Sequence, residues 1–248
     1  MVSEPASHQR RWSRRGVITT GLGLAAGLAA SQAADVLAQT ATDFDVDVGI
    51  DPGHSPVDVG TSGAGVAEYQ HTLDVALRLR PMLEAAGLRV AMTRTEHVAL
   101  SDMSHPNPTE RIRIEQFARI AAVGNARIYV SLHFDGVDSP SVRGTETFYN
   151  PDQHGEEGRR LAEAIQRHML DEIRGIGYDT LDRGANDDMK IVKPYGHLFM
   201  LRGPMPSVCG EPLFLTNPRE GALMLQEETR QAVARGYAGG IVAYFAGG

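Results

Sequence analysis

The chain has a single cysteine, Cys209, so it can form no internal disulfide and no multi-cysteine metal site. None lies near the N-terminus to carry a lipid. Positive charge is also scarce: 24 Lys and Arg stand against 31 Asp and Glu, a formal charge of -7. That excludes nucleic acid as a default partner, because phosphate binding needs a basic surface. No block of like charge is long enough to suggest a tail, and no segment repeats. Long apolar runs are missing too. The softest stretch, residues 16–30, is rich in Gly and Ala and short for a spanning helix. What is present is 248 residues, 42% of them hydrophobic, which is material for one globular domain or at most one and a half.

The first 38 residues form their own compositional block. Arg10, Arg11, Arg14 and Arg15 precede the soft apolar stretch, and small residues then lead to VLA at 36–38. Basic region, apolar core and small-residue cleavage site is the layout of an export signal. The segment SRRGVIT resembles a twin-arginine signal, which moves already folded proteins. The expected organisation is therefore a twin-arginine-type export signal at 1–38 with cleavage after Ala38, a short linker at 39–45, and a catalytic domain at 46–248. Contact with a membrane is expected only through the export segment, and the location is periplasmic or secreted. Without residues 1–38 the chain keeps 20 basic and 29 acidic side chains, a formal charge of -9.

Beyond residue 45 strands and helices alternate. VDVGI at 46–50 reads as a strand, and 68–87 as a helix closed by Gly87 that Pro81 is expected to bend or break. LRVAMTR at 88–94 is a second strand. A polar loop at 95–109 follows, long enough either to line a site or to be mobile. A helix at 111–124, strands at 126–134 and 145–150, and a charged helix at 155–173 come next. A strand within 206–215 runs into a turn. Residues 219–245 read as one long helix or two, with a break near Gly239 and Gly240. This order argues for an α/β layered fold.

Three β-like runs end on a side chain able to bind a metal: GIDPGH reaches His54, YVSLH reaches His133, and VCGE reaches Glu211. In open α/β sheets the active crevice lies beyond the carboxyl ends of the strands, so these groups can converge. Glu68 opens the helix after the first loop and can face the same crevice. Two imidazoles and one carboxylate make a catalytic zinc set with a position left for water. Zinc in such a set lowers the pKa of water and polarises a carbonyl. A further carboxylate, Glu211, would be the acid/base. Asp51 is placed to orient a ligand histidine. His71, three residues past Glu68 on the same helical face, is a rival ligand.

At these residues the chain resembles the zinc-dependent N-acetylmuramoyl-L-alanine amidases, which cut peptide stems from the glycan of bacterial walls. IDPGHSPVDVG at 50–60 is similar to the family's opening DPGHGG-type loop. VAMTR at 90–94 and Arg111 match its Thr-Arg strand end and later arginine. VSLHFD at 130–135, GTETFY at 144–149, EPLFLTN at 211–217 and AGGIVAYF at 238–245 resemble its remaining segments in order. The resemblance implies a single α/β domain whose mixed, mostly parallel sheet of about six strands is flanked by helices on both faces. It implies one zinc ion held by His54, Glu68 and His133, with Glu211 catalytic. It implies peptidoglycan or a muropeptide as substrate, cut between the lactyl group of N-acetylmuramic acid and L-alanine. A protein activator is left unidentified. The chain departs from the family at Ser55-Pro56, Thr72, Asp135, Glu115 and Phe117, which touches substrate preference more than the chemistry. Asp135 either tunes the metal site or repels an acidic stem.

Arg94 and Arg111 can grip a substrate carboxylate or pair with structural acids, and the residues leave that open. Cys209 reads as core. No plugging helix is expected between 151 and 193. Two other functions compete: a carboxypeptidase-like zinc hydrolase that trims wall peptides, and an inert wall-binding module on the same fold.

Overall fold

In a computed structural model that describes residues 44–247, β1 (Val46–Pro52) lies inside a six-stranded sheet, with β4 (Val90–Met92) on one side and β5 (Ala126–Leu132) on the other. The spatial order continues through β8 (Ser207–Glu211) and β6 (Thr145–Tyr149) to β7 (Asp182–Asp187) at the far edge. Every neighbouring pair is parallel except β6 and β8, which run antiparallel. The carboxyl ends of β1, β5 and β8 and the start of β6 therefore share one edge. The export segment and most of the linker lie outside the described residues. Among the described residues no helix is long and apolar enough to cross a membrane.

Helices α1 (Glu68–Ala85), α3 (Gly155–Gly175) and α5 (Glu227–Phe245) pack together on one face of the sheet. Helix α2 (Pro108–Ala122) and the turn at 199–201 cover the other, over a core that includes Ile120, Tyr129, Phe148, Leu201 and Cys209. The pleat sends alternate side chains to opposite faces. By register, Asp51 pairs with Ser131, Ser131 with Cys209, and Glu146 with Glu211. These side chains, and His133 two residues beyond Ser131, belong to the α2 face.

Local chemistry fixes the element ends. Asn107 caps α2 by accepting from the Thr109 and Glu110 amides, with Pro108 at the first helical position. Asn217 and Pro218 repeat the device at α4 (Pro218–Met224). Pro81 stands on the exposed side of α1, and the helix runs through it. The break in the last segment falls at Leu225 and Gln226, ahead of α5, and not at Gly239-Gly240. Those glycines lie inside α5 because a Cβ on Gly240 would come within 2.5 Å of the Ile165 Cα of α3. They permit a close helix crossing rather than a turn.

Two features have no trace in the hydrophobic pattern. The strand DRGAND, β7, is a polar edge strand with no inner alternation. A two-residue ladder pairs β2 (Ser62–Gly63) with β3 (Val66–Ala67) just ahead of α1. The loop at 95–109 neither lines the cleft nor hangs free. The Glu115 carboxylate accepts from the Leu100 and Ser101 amides and the Ser101 hydroxyl.

Candidate metal centre and cleft

His54 leaves the end of β1 in the left-handed region, with φ 62°. A non-glycine residue rarely adopts that conformation, and such residues gather at functional sites. Its ring lies edge-on to that of His133, with centroids 4.8 Å apart. Glu68 stands between them as the first residue of α1. Its Oε2 is 3.3 Å from His54 Nε2 and its Oε1 is 2.9 Å from His133 Nδ1. The carboxylate is oriented by two backbone donors, the Thr61 amide at 2.9 Å and the Phe134 amide at 3.0 Å. Glycine is required at positions 53 and 60, where a Cβ would collide with His133 Nε2 and Glu68 Oε2 respectively.

His54, Glu68 and His133 each present one ligand atom within 4.8 Å of the others. His133 Nε2 is buried without a hydrogen-bond partner. Two imidazoles, one carboxylate and an orphaned ring nitrogen fit a divalent cation of the zinc type. His71 is not part of this cluster. It is buried against Phe134 with its centroid 5.9 Å away, and burial, followed by the Arg230 charge, pulls its pKa down.

His54 Nδ1 is 3.1 Å from the Asp58 carboxylate. Burial opposes a charged His54 ring, but the Glu68 charge and the Asp58 hydrogen bond outweigh it and raise its pKa to about 10. Burial likewise opposes ionisation of Glu68, and the two histidines overcome it and hold its pKa down. A cation and protons therefore compete for the same donors.

Beyond the cluster opens a cleft of about 920 Å³, lined in part by Glu211, Asp135, Glu146 and Cys209. Glu211 Oε2 is buried and unpartnered, and the Cys209 thiol lies 3.7 Å from Oε1. Burial, then the charges of Asp135, Glu68 and Glu146, push the Glu211 pKa well up. Asp135 is pushed up to about 8 by burial and then by Glu146. Burial pushes the Cys209 thiol up as well, away from the reactive thiolate form.

The structure shows what three of the other candidates touch. Among the described residues Asp51 bonds no histidine directly, but its partner Arg119 also donates to the His54 carbonyl. The Asp51 carboxylate lies on the α2 face of the sheet, where β1 runs beside β5, bonded to Thr93 and Ser131 hydroxyls at 2.7 Å and to Arg119 at 2.9 Å. Arg94 is buried and donates to the carbonyls of Pro52, Gly53, Tyr69 and Glu96, so it braces the His54 loop. Arg111 lies outside the cleft lining. Asp58 and Glu146 were not singled out by sequence. The sign of Asp58 was a carboxylate four residues after His54, and Glu146 stood in GTETFY.

A family model described as N-acetylmuramoyl-L-alanine amidase matches residues 48–243. The amidase LytC of Bacillus subtilis is 29% identical over 194 residues, which span 78% of this chain but 34% of that protein. The germination-specific N-acetylmuramoyl-L-alanine amidase of the same organism is 28% identical over 196 residues, spanning 78% of this chain and 77% of its own length. Among solved structures, the amidase AmiC2 of Nostoc punctiforme superposes with a TM-score of 0.61 at 26% identity, covering 80% of this chain and 96% of that one. The CwlD amidase of Clostridioides difficile, solved with the GerS lipoprotein, gives 0.69 at 23% identity, covering 82% and 100%. That last likeness bears on the fold alone.

Proposed function

The chain belongs to the N-acetylmuramoyl-L-alanine amidase family, and from that membership we propose that it hydrolyses the amide between the lactyl group of N-acetylmuramic acid and L-alanine in peptidoglycan. The observation that carries the reading is the His54–Glu68–His133 cluster at the mouth of a cleft that also holds an unpartnered, buried Glu211.

His54, Glu68 and His133 would hold a zinc ion. The chemistry such an ion supplies when bound is Lewis acidity, which lowers the pKa of water and polarises a carbonyl. Glu211 takes the proton of the attacking water at a carboxylate oxygen as the carbon–oxygen bond forms. It returns that proton to the L-alanine nitrogen as the carbon–nitrogen bond breaks. A carboxyl group whose surroundings favour its protonated form suits the second half of that cycle. Asp58 holds His54 Nδ1, so Nε2 is the nitrogen left for the metal. Buried Arg94 fixes the Pro52–Gly53 backbone from which His54 projects.

Export through residues 1–38 by the twin-arginine route, with the folded domain delivered to the wall compartment, belongs to the same proposal. The SRRGVIT segment supports it. Product analysis on purified sacculi tests the activity. Released stems beginning with L-alanine are the expected product, whereas single released amino acids point to a peptidase, and intact stems point to a binding module.

A further inference from the structure

Six acidic side chains line the cleft: Asp58, Glu68, Asp135, Asp138, Glu146 and Glu211. Such side chains offer an anionic ligand no cationic partner of their own. All three Lys and Arg side chains of the lining belong to one wall, formed by β7 and the segment that follows it: Arg183, Lys190 and Lys193.

The three differ in what they hold. Arg183 Nε donates to Glu146 Oε1 at 2.6 Å and Lys190 Nζ to Glu146 Oε2 at 2.9 Å. Glu146, with 4% of its side chain exposed, stands opposite Glu211 in the β6–β8 register. Carboxylates directly opposed across strands disfavour each other's ionisation, and the two cations neutralise Glu146. Lys193 has no such duty. It is exposed at the cleft and, among the described residues, has no hydrogen-bond or ion-pair partner for its ammonium.

The segment presenting Lys193 is fastened on both sides. His197 stands between two carboxylates, with Nδ1 2.5 Å from Asp188 and Nε2 3.0 Å from Asp152. Arg202 donates to the carbonyls of Tyr195 and His197. Tyr195 stacks on Phe199 with centroids 4.4 Å apart. A tethered backbone carrying one uncommitted cation over an acidic cleft is the arrangement expected of a group that meets an incoming anion.

We propose that this wall reads a carboxylate on the stem peptide, with Lys193 as the contacting cation, so that the protein prefers stems with a free carboxylate near L-alanine over their amidated counterparts. The inference rests on the amidase reading above and names the substrate form that the same cleft selects.

The test uses the zinc-loaded protein and two soluble N-acetylmuramyl peptides that differ only in whether the carboxylate of the second stem residue is free or amidated. The expected wild-type result is a higher kcat/KM on the free-acid peptide, carried by KM, with the ratio falling as salt rises. Lys193→Ala lowers the free-to-amidated ratio about fivefold, the scale of one exposed charge contact. Lys193→Glu lowers it further and turns the preference toward the amidated peptide. Equal kcat/KM on both peptides, or a ratio that both variants leave at the wild-type value, overturns the inference while the amidase reading stands. Cleavage of neither peptide by the wild type overturns both.

Discussion

Asp58 engages one ring nitrogen of His54, and that single hydrogen bond decides which nitrogen faces the donor cluster. An amide in its place keeps the shape but removes the charge that favours the contact. Asp58→Asn is therefore expected to weaken zinc binding about 10- to 100-fold, the usual scale for the partner of a metal-bound histidine. Competition with a chelating dye reads this directly. In the proposed reaction Glu211 acts on protons and does not hold the metal. Glu211→Gln should lower kcat by about 10²–10⁴ with metal content equal to wild type by elemental analysis, whereas His133→Ala loses the metal as well. Near-normal turnover in a fully loaded Glu211→Gln protein would remove the acid/base role. The four proposed site residues stand at or just past the end of a strand or at the start of a helix, where the hydrophobic pattern stops, and the family resemblance singled them out from the other histidines and acids. Asp58 was not legible, since its role depends on the loop turning back at the Ser55–Asp58 bridge, which leaves no periodic sign. Arg94 was ambiguous for a related reason: its partners are backbone carbonyls, which every sequence contains.

The strand and helix order was readable from apolar periodicity, and the elements that escaped it share a cause. β7 has Ala185 as its one apolar side chain, so no alternation marks it, and an edge place in the sheet tolerates that polarity. The glycine pair in α5 looked like a breaker because glycine is a poor helix former, yet here helix packing decides. Gly236 faces the Met169 Cα and Gly240 the Ile165 Cα, at 2.8 and 2.5 Å from where a Cβ would stand. Gly240→Ala should therefore overpack the α3–α5 crossing and cost about 1–3 kcal/mol. That corresponds to a fall in Tm of about 2–4 °C per kcal/mol for a domain of this size. Gly175→Ala, at the end of α3 with nothing within 4 Å of its Cβ, serves as the comparison and should leave Tm close to wild type. If the two variants melt together, close packing is not what fixes glycine at 240. The Glu115 departure is also explained at this scale: its carboxylate ties the 95–109 loop to α2 and pairs with Arg119 at 2.9 Å.

Across the whole molecule, that same Arg119 joins the loop, the helix and the floor of the candidate metal site. It is almost fully buried, bonds Asp51 at 2.9 Å and Glu115 at 2.9 Å, and donates to the carbonyls of Pro52 and His54. Burial opposes a charged Asp51, but the Arg119 charge, then the Ser131 and Thr93 hydrogen bonds, lower its pKa from 3.8 to about 2. A carboxyl group depressed in the folded state binds fewer protons there than in the unfolded chain between those two values. Its contribution is thus complete above about pH 4 and disappears as pH falls through 2. A shift of this size is worth about 2 kcal/mol. Removing one partner of a buried pair costs about 3–5 kcal/mol at neutral pH, because the other charge stays buried. Asp51→Asn should therefore be less stable than wild type at pH 6, and the gap should narrow as the wild type loses its own Asp51 charge. Urea unfolding at pH 6, 4, 3 and 2.5 measures that gap. A difference that stays constant from pH 6 to 2.5 would mean that Asp51 acts through shape and not through its charge on Arg119. The backbone that presents His54 would then owe its position to Arg94 and Thr72, whose hydrogen bonds to the Gly53 carbonyl do not titrate in that range.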